Sequence, residues 1–311
     1  MKVRLLGHLT FDDVTVVDEK GTNIEYESVG GPPIYSGLLL AKLGLEPFIH
    51  TRYGPDFDSS RLLWLTKNGL TLSKHSASAS SMTTRFRIQV NKKSGERELY
   101  LVSRCEDINV DDSEFDPHFD FDADSDVCLV QPVFREVSPD ILKKLRERCS
   151  YLFLDPQGFL RKSVNGRIAL AENRKLAGSL ASLDGIKVDV EEGYVLTGKR
   201  EIAQIGSSLL QRGVKEVIVT AGGSGTYLFT ERLALFIPLP KTDLFDGIGA
   251  GDMLGAGYAF ARQSMDFSDS LAFAVACAIS RIDRRALEKI PTQREVETMM
   301  TQLLPRMVRV A

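Results

Sequence analysis

The stretch Asp246-Gly247-Ile248-Gly249-Ala250-Gly251-Asp252 sets three glycines at alternate positions and closes on an acid. Backbone without Cβ atoms turns sharply and lets its N–H groups approach a ligand closely. Met253 to Phe260 follow as small and apolar residues that read as a buried helix. A glycine-rich turn at a helix N-terminus gathers unpaired N–H groups and the positive end of the helix dipole, which together suit an anion such as phosphate. The carboxylate of Asp252 repels the anion that such a turn attracts. Its placement makes sense when it faces a third party, a hydroxyl attacking that phosphate. A weak base suffices, because phosphoryl transfer rests mainly on positioning and charge stabilisation. The helix dipole predicts an ionised Asp252 with no upward shift of its pKa. The alternative is a tight strand-to-helix turn with Asp252 as an ordinary first-turn acid.

The elements that must hold this turn alternate along the chain. Lys2–Leu6 reads as a first strand ending at Gly7, and Ile34–Leu43 as a helix stopped by Gly44. Glu46–Tyr53 reads as a strand and Asp58–Asn68 as an amphipathic helix. From about residue 126 the pattern becomes strand and helix in turn: Val127–Val130, Pro139–Arg148, Tyr151–Leu154, Ile186–Val190, Glu201–Gln211 and Val217–Thr220. Leu271–Ile282 and Gln293–Leu304 add a buried and an amphipathic helix. Short apolar strands alternating with helices predict a parallel sheet covered on both faces. Two β-rich segments, about 10–29 and 83–103, stand outside this alternation and pair into a small accessory sheet.

Asp246 to Asp252 resembles the C-terminal signature of the ribokinase-like (PfkB-type) kinases, whose core is Gly-Ala-Gly-Asp. Gly30-Gly31 before a helix ending Leu40-Ala41-Lys42-Leu43-Gly44 resembles the N-terminal signature of the same family. The resemblance covers nearly the whole chain. It implies a three-layer α/β/α domain over residues 1–311 with a mainly parallel sheet, and a small β lid made of the two accessory segments. It further implies ATP- and Mg²⁺-dependent transfer of a γ-phosphoryl group to a hydroxyl of a small sugar or cyclic polyol. Asp252 would be the base, and the N–H groups of Gly249, Ala250 and Gly251 the anion hole. Asp189 and Glu192 resemble the family's Asn-x-x-Glu element, which organises the metal through water. Thr220, Gly222 and Gly225 resemble its nucleotide loop.

The acceptor residues implied are Asp12, Gly30 and Gly31, with Tyr35, Arg85 and Gln157 as further candidates. Asp13, next to Asp12, keeps a shift by one residue open. Pro32-Pro33 and Tyr35 stand where ribokinase carries Lys and Asn, which argues against ribose. A nucleoside acceptor is the nearest alternative, with Phe11, Tyr35 and Phe86 as stacking surfaces. A phosphorylated sugar would need a basic pocket, and no lysine follows Gly31. From another class comes a catalytically inactive ligand-binding protein on this fold. The family habit of pairing lid sheets implies a homodimer.

Gly193-x-x-x-x-Gly198-Lys199 mimics a P-loop, but Arg200 stands where Ser or Thr must meet Mg²⁺, and Tyr194-Val195-Leu196 reads as helix. No dinucleotide fingerprint follows the first strand. The 311 residues carry a net charge of −3, which argues against nucleic acid as a partner. No apolar run reaches about 18 residues, so no membrane span is expected. Cys105, Cys128, Cys149 and Cys277 are widely spaced and read as reduced thiols of a cytoplasmic protein.

Overall fold

In the computed structural model, residues 1–18, 20–91, 97–108, 126–240, 247–282, 287 and 289–310 are described. The strands in chain order are β1 (Lys2–Leu6), β2 (Thr10–Val17), β3 (Asn23–Gly30), β4 (Pro47–His50), β5 (Thr71–Leu72), β6 (Thr84–Asn91), β7 (Arg97–Ser103) and β8 (Asp126–Val130). They continue with β9 (Tyr151–Leu154), β10 (Arg161–Val164), β11 (Arg167–Leu170), β12 (Gly185–Asp189), β13 (Glu216–Thr220), β14 (Gly225–Thr230), β15 (Ala234–Pro238) and β16 (Val308–Arg309). The α-helices are α1 (Pro32–Lys42), α2 (Ser59–Lys67), α3 (Ile141–Arg146), α4 (Gln157–Leu160) and α5 (Arg174–Ala177). Then come α6 (Val190–Thr197), α7 (Ile202–Gln211), α8 (Ala250–Ala261), α9 (Phe267–Ile279) and α10 (Gln293–Leu303). No helix among the described residues is long and apolar enough to cross a membrane.

Strands β5, β4, β1, β8, β9, β12 and β13 lie side by side in parallel, and β14, β15 and β16 extend the sheet antiparallel. Successive side chains on a strand point to opposite faces. Ile186, Val188, Val217 and Val219 accordingly join Ile205 and Leu209 of α7 in one core layer. Leu5, Leu129, Phe153 and Ile218 join α1, α8 and α9 in the other. Lys187, between Ile186 and Val188, is therefore directed to the α8 side. The architecture is the expected α/β sandwich, with helices on both faces.

The second sheet runs β10-β11-β7-β6-β2-β3. The two lid segments expected from sequence supply β2, β3, β6 and β7; β2 pairs with β6 in parallel. A third piece, the hairpin of β10 and β11, joins through Arg167 opposite Tyr100. Its strands are only four residues long, β10 mostly polar, and flank Asn165-Gly166, too short a pattern to stand out against loop. Alternation on either side of Asn91–Gly95 predicts a turn there, and 92–96 lie outside the described residues. Helix ends also shift for local reasons. The helix expected to start at Leu271 starts at Phe267, where Asp266 caps it by accepting from Asp269 N at 2.9 Å. Pro139 lies in a turn closed by Ile141 N on Ser138 O, so α3 is shorter than Pro139–Arg148.

The thiols depart from expectation. Cys128 of β8 and Cys149, just before the neighbouring strand β9, are joined in a disulfide, while Cys105 and Cys277 are free and buried. Wide spacing in sequence conceals this pair, because only the parallel β8–β9 register brings the two together. The link closes a separation of 21 residues. Closing a loop of that size restricts the unfolded chain by about 3 kcal/mol. Cys128→Ala with Cys149→Ala, or reductant on the wild type, is expected to lower the melting temperature by several degrees. Thermal melts with and without reductant check this, and equal melts would count against the bond.

Candidate active site

The carboxyl ends of parallel strands in an open α/β sheet form a crevice where ligands bind. Here Asp155 leaves β9, Asp189 ends β12 and Thr220 ends β13, and α8 enters across that edge. The lid face bearing Thr10, Asp12, Phe86 and Ile88 covers the same edge. Between them lies a cavity of about 430 Å³, lined on the sheet side by Lys187, Glu192, Gly251 and Asp252 and on the lid side by Asp12 and Arg97.

Gly249 is the N-cap of α8, with φ of 78° in the left-handed region that glycine tolerates. A Cβ there would lie 2.2 Å from the Tyr35 ring, so ring and turn can meet only because this residue is glycine. Gly251 and Asp252 occupy the first turn, where N–H groups have no intrahelical partner. Ala250 differs: its N–H donates to the Gly247 carbonyl at 3.2 Å, so the turn itself already uses one of the three expected anion-hole donors. Ser36 Oγ donates to the Asp252 carbonyl at 3.1 Å and ties α1 to this turn.

Beneath the turn sits a group that sequence pattern does not single out. Lys187 Nζ lies 2.7 Å from Asp155 Oδ2, with both residues buried, and 3.1 Å from where a Gly251 Cβ would stand. Burial works against its charge, but Asp155, Glu192 and Asp252 hold its pKa above the ordinary value. An ammonium under a helix N-terminus reinforces an anion site. Its signal in sequence is one lysine inside the apolar strand Ile186-Lys187-Val188, legible only once the facing helix is known. Arg161 is a second such group: it donates to Gln157 Oε1 at 2.7 Å and to the Val133 carbonyl at 2.9 Å. Arg97 reaches the cavity from β7.

Of the acceptor candidates, Asp12 lines the cavity and accepts from Thr10 Oγ1 at 3.0 Å. Asp13 turns to the other face, away from the cavity, and pairs with Arg85. Gly30 lies behind Asp12, where a Cβ would stand 2.2 Å from Oδ2; Gly31, with φ of 94°, and Tyr35 line the cavity. Arg85 does not join them. Strand alternation sends it to the Asp13 face, where it pairs with Asp13 at 2.6 Å and Glu27 at 3.0 Å and covers Phe11. Arg97, on the cavity face of the next strand, stands where Arg85 was expected.

Gln157 lines the cavity and donates to Asp252 Oδ1 at 3.4 Å. Thr220 and Gly222 line it too. Gly225 does not: its missing Cβ lets β14 approach Ile237 O and the Phe236 ring of β15. Asp189 and Glu192 form a capping box on α6, Asp189 accepting from Glu192 N at 2.7 Å and Glu192 from Asp189 N at 2.9 Å. Both also line the cavity. The P-loop mimic is helix α6, ended by Gly198 in the left-handed region.

Among the described residues no group of three or more His, Cys, Asp or Glu side chains could hold a metal alone. Glu192 and Asp189 nonetheless fit a Mg²⁺ bound mainly by phosphate and water. Glu192 is buried, faces the cavity, and has its pKa pushed up to about 7 by burial, against Lys187 and with Asp155 and Asp189 adding to the rise. A cation would ionise it. The expectation of an unshifted Asp252 is corrected in the same way: desolvation, then repulsion from Asp155, outweighs Lys187, Arg161 and Arg97 and raises it to about 7. The helix dipole loses because the carboxyl is shielded by lid and floor. Asp12 is raised to about 6 by burial, against its bond from Thr10.

Fold and site thus define an α/β protein in which a glycine-opened helix terminus lies over a buried lysine and beside a carboxyl whose pKa is raised to about 7. Comparison with known proteins agrees. Residues 162–292 match the family model described as pfkB family carbohydrate kinase. Aminoimidazole riboside kinase of Salmonella typhimurium is 25% identical over 96% of this chain and 95% of its own. The 1-phosphofructokinase of Bacillus subtilis is 36% identical over 66 residues, and there the match spans only 22% of the relative's length. Among solved structures, a pyrophosphate-dependent kinase in the ribokinase family superposes with a TM-score of 0.79 at 21% identity, over 96% of this chain and 99% of the other. Such a kinase complexed with a pyrophosphate analog and myo-inositol gives 0.76 at 21%, over 95% and 99%. The chain is thus similar in sequence to pfkB family carbohydrate kinases over residues 162–292 and shares its fold with solved ribokinase-family kinases.

The raised carboxyls have a cost for folding. Asp252, Glu192 and Asp12 keep their protons to about 7, 7 and 6 when folded, whereas carboxyls of the unfolded chain ionise near 4. Between these values the folded state binds more protons, so their contribution falls as pH rises from about 4 to about 7. Asp252→Asn is expected to melt several degrees above wild type at about pH 8 and to lose most of that advantage at about pH 4.5. Melting curves of both proteins at both pH values test this; a gap that does not change with pH contradicts it.

Proposed function

We propose that the protein transfers the γ-phosphoryl group of ATP to a hydroxyl of a small neutral polyol, of the sugar or cyclic polyol type. The observation that carries this reading is the convergence, in one cavity, of the Gly249–Asp252 turn, the Lys187 ammonium and the lid carboxylate Asp12. Asp12 accepts hydrogen bonds from acceptor hydroxyls, and the apolar wall of Phe86 and Ile88 excludes water that would compete as acceptor. Asp252 takes the proton of the attacking hydroxyl as its oxygen bonds to phosphorus and the bond to the leaving phosphate breaks. Gly249, Gly251 and Lys187 meet the charge on the transferred group where it develops. Arg161 and Arg97 supply further positive charge to the same space.

Glu192 and Asp189 would hold Mg²⁺, which when bound neutralises phosphate charge. Gly222 and Gly223, with nothing within 4 Å of a Cβ at either, leave open room for a nucleoside beside Thr220. Pyrophosphate as donor is the second reading, supported by the fold shared with pyrophosphate-dependent kinases. A myo-inositol acceptor is supported in the same way, and a riboside by the Salmonella relative.

The test is phosphate transfer from ATP or pyrophosphate to a panel of pentoses, hexoses, inositols, nucleosides and hexose phosphates. One acceptor is expected to turn over, and Asp252→Asn to lower kcat by about 10²- to 10⁴-fold, the range a positioned base supplies. Lys187→Met is expected to weaken transfer with every acceptor alike. No stimulated acceptor, or an Asp252→Asn variant as active as wild type, would sink the kinase reading in favour of the binding protein.

A further inference from the structure

The function above needs an aspartate that is ionised and points at the acceptor, and an interior carboxylate left to its own rotamers does neither. Within reach of Asp252 a side-chain amide is held in one sense. Arg161 has donors only, so the end of Gln157 that faces Arg161 Nη2 at 2.7 Å must be the oxygen. The amide –NH₂ is thereby forced toward Asp252 Oδ1, at 3.4 Å. Amide orientation often rests on choice between two similar atoms; here the guanidinium decides it.

The parts that hold this chain of contacts are themselves fixed. Gln157 N donates to Asp155 Oδ1 at 3.2 Å, and the other oxygen of Asp155 is on Lys187. Arg161 is clamped by the Val133 carbonyl at 2.9 Å and lies 5.9 Å from the Phe86 ring centre. Gln157 and Arg161 stand four residues apart across the single turn of α4, the spacing at which helical side chains meet.

We propose that Gln157, locked by Arg161, is a positioning residue that orients the Asp252 carboxylate toward the acceptor hydroxyl. The proposal rests on the phosphoryl-transfer reading and adds to it a role for two residues outside the anion turn. The amide donates to the ionised form of Asp252, so its loss disfavours that form and moves the acid limb of activity to higher pH. The 3.4 Å contact is long, and such catalytic bonds shorten when substrate is bound.

The experiment measures kcat, acceptor KM and the pH dependence of kcat for Gln157→Leu, Gln157→Asn and Arg161→Lys, each checked for folding by thermal melt, with Asp252→Asn alongside. Gln157→Leu is expected to lose about 10- to 100-fold in kcat, part of what a positioned base supplies, with acceptor KM nearly unchanged and the acid limb displaced upward. Arg161→Lys keeps the charge but offers a point donor instead of a fork, and is expected to show the same displacement in smaller degree. Gln157→Asn keeps an amide one methylene short and should fall between Gln157→Leu and wild type. A raised KM with unchanged kcat and an unmoved limb makes Gln157 a substrate contact and overturns the proposal. Unchanged kinetics in all three variants overturn it too. Both results leave the kinase reading standing, whereas full activity of Asp252→Asn removes that reading and the proposal together.

Discussion

The site depends on one buried ion pair. Lys187 and Asp155 meet at 2.7 Å with side chains 9% and 0% exposed. Neither charge would be tolerated there alone: removing one partner of such a pair costs about 3–5 kcal/mol, because the other is left uncompensated. Around this pair the rest is arranged. The small residue at Gly251 lets α8 settle on the ammonium, Asp155 anchors the backbone of Gln157, and Glu192 and Asp252 share the field of Lys187. Burial raises the pKa of both acids, and repulsion from Asp155 adds to it. Five carboxyls face the region, Asp12, Asp155, Asp189, Glu192 and Asp252, against Lys187, Arg161 and Arg97. Retained protons keep that imbalance bearable.

Much of the fold was legible because its signals are local. Apolar strands of four or five residues between helices announce a parallel sheet, and Val14, Val16, Phe86 and Ile88 announce strands with one buried face. The anion turn was legible for the same reason: its glycines, the N-terminus they open and Asp252 are contiguous. Asp189 and Glu192 lie three apart and cap one helix, so their pairing also shows in the chain.

What the sequence hid is what only packing creates. Lys187 is one cation in an apolar strand, and its meaning appears when strand alternation points it at α8. Arg85 and Arg97 look alike in sequence, yet the first belongs to the Asp13 face and the second to the cavity. Which face an arginine takes is set by register, and the register of β6 and β7 shifts between Arg85 and Phe86. The disulfide joins residues brought together by neighbouring strands. The dipole argument for Asp252 counted one field and omitted the lid that removes water. The hairpin of β10 and β11, four residues to a strand, is too short to carry a pattern.

The lid strands come from three separate stretches of chain, each leaving and rejoining the domain, while the residues proposed to face phosphate belong to the sheet and to α8. Asp12, Phe86 and Arg97 can therefore drift by mutation without disturbing the strand register that sets Lys187 and the anion turn. On the proposed reading, acceptor range and phosphoryl chemistry descend on different pieces of chain and are free to diverge at different speeds. Arg161 is the point of contact between the two lineages. It opens a lid strand and at the same time holds the amide beside Asp252, so a change there alters both inheritances at once.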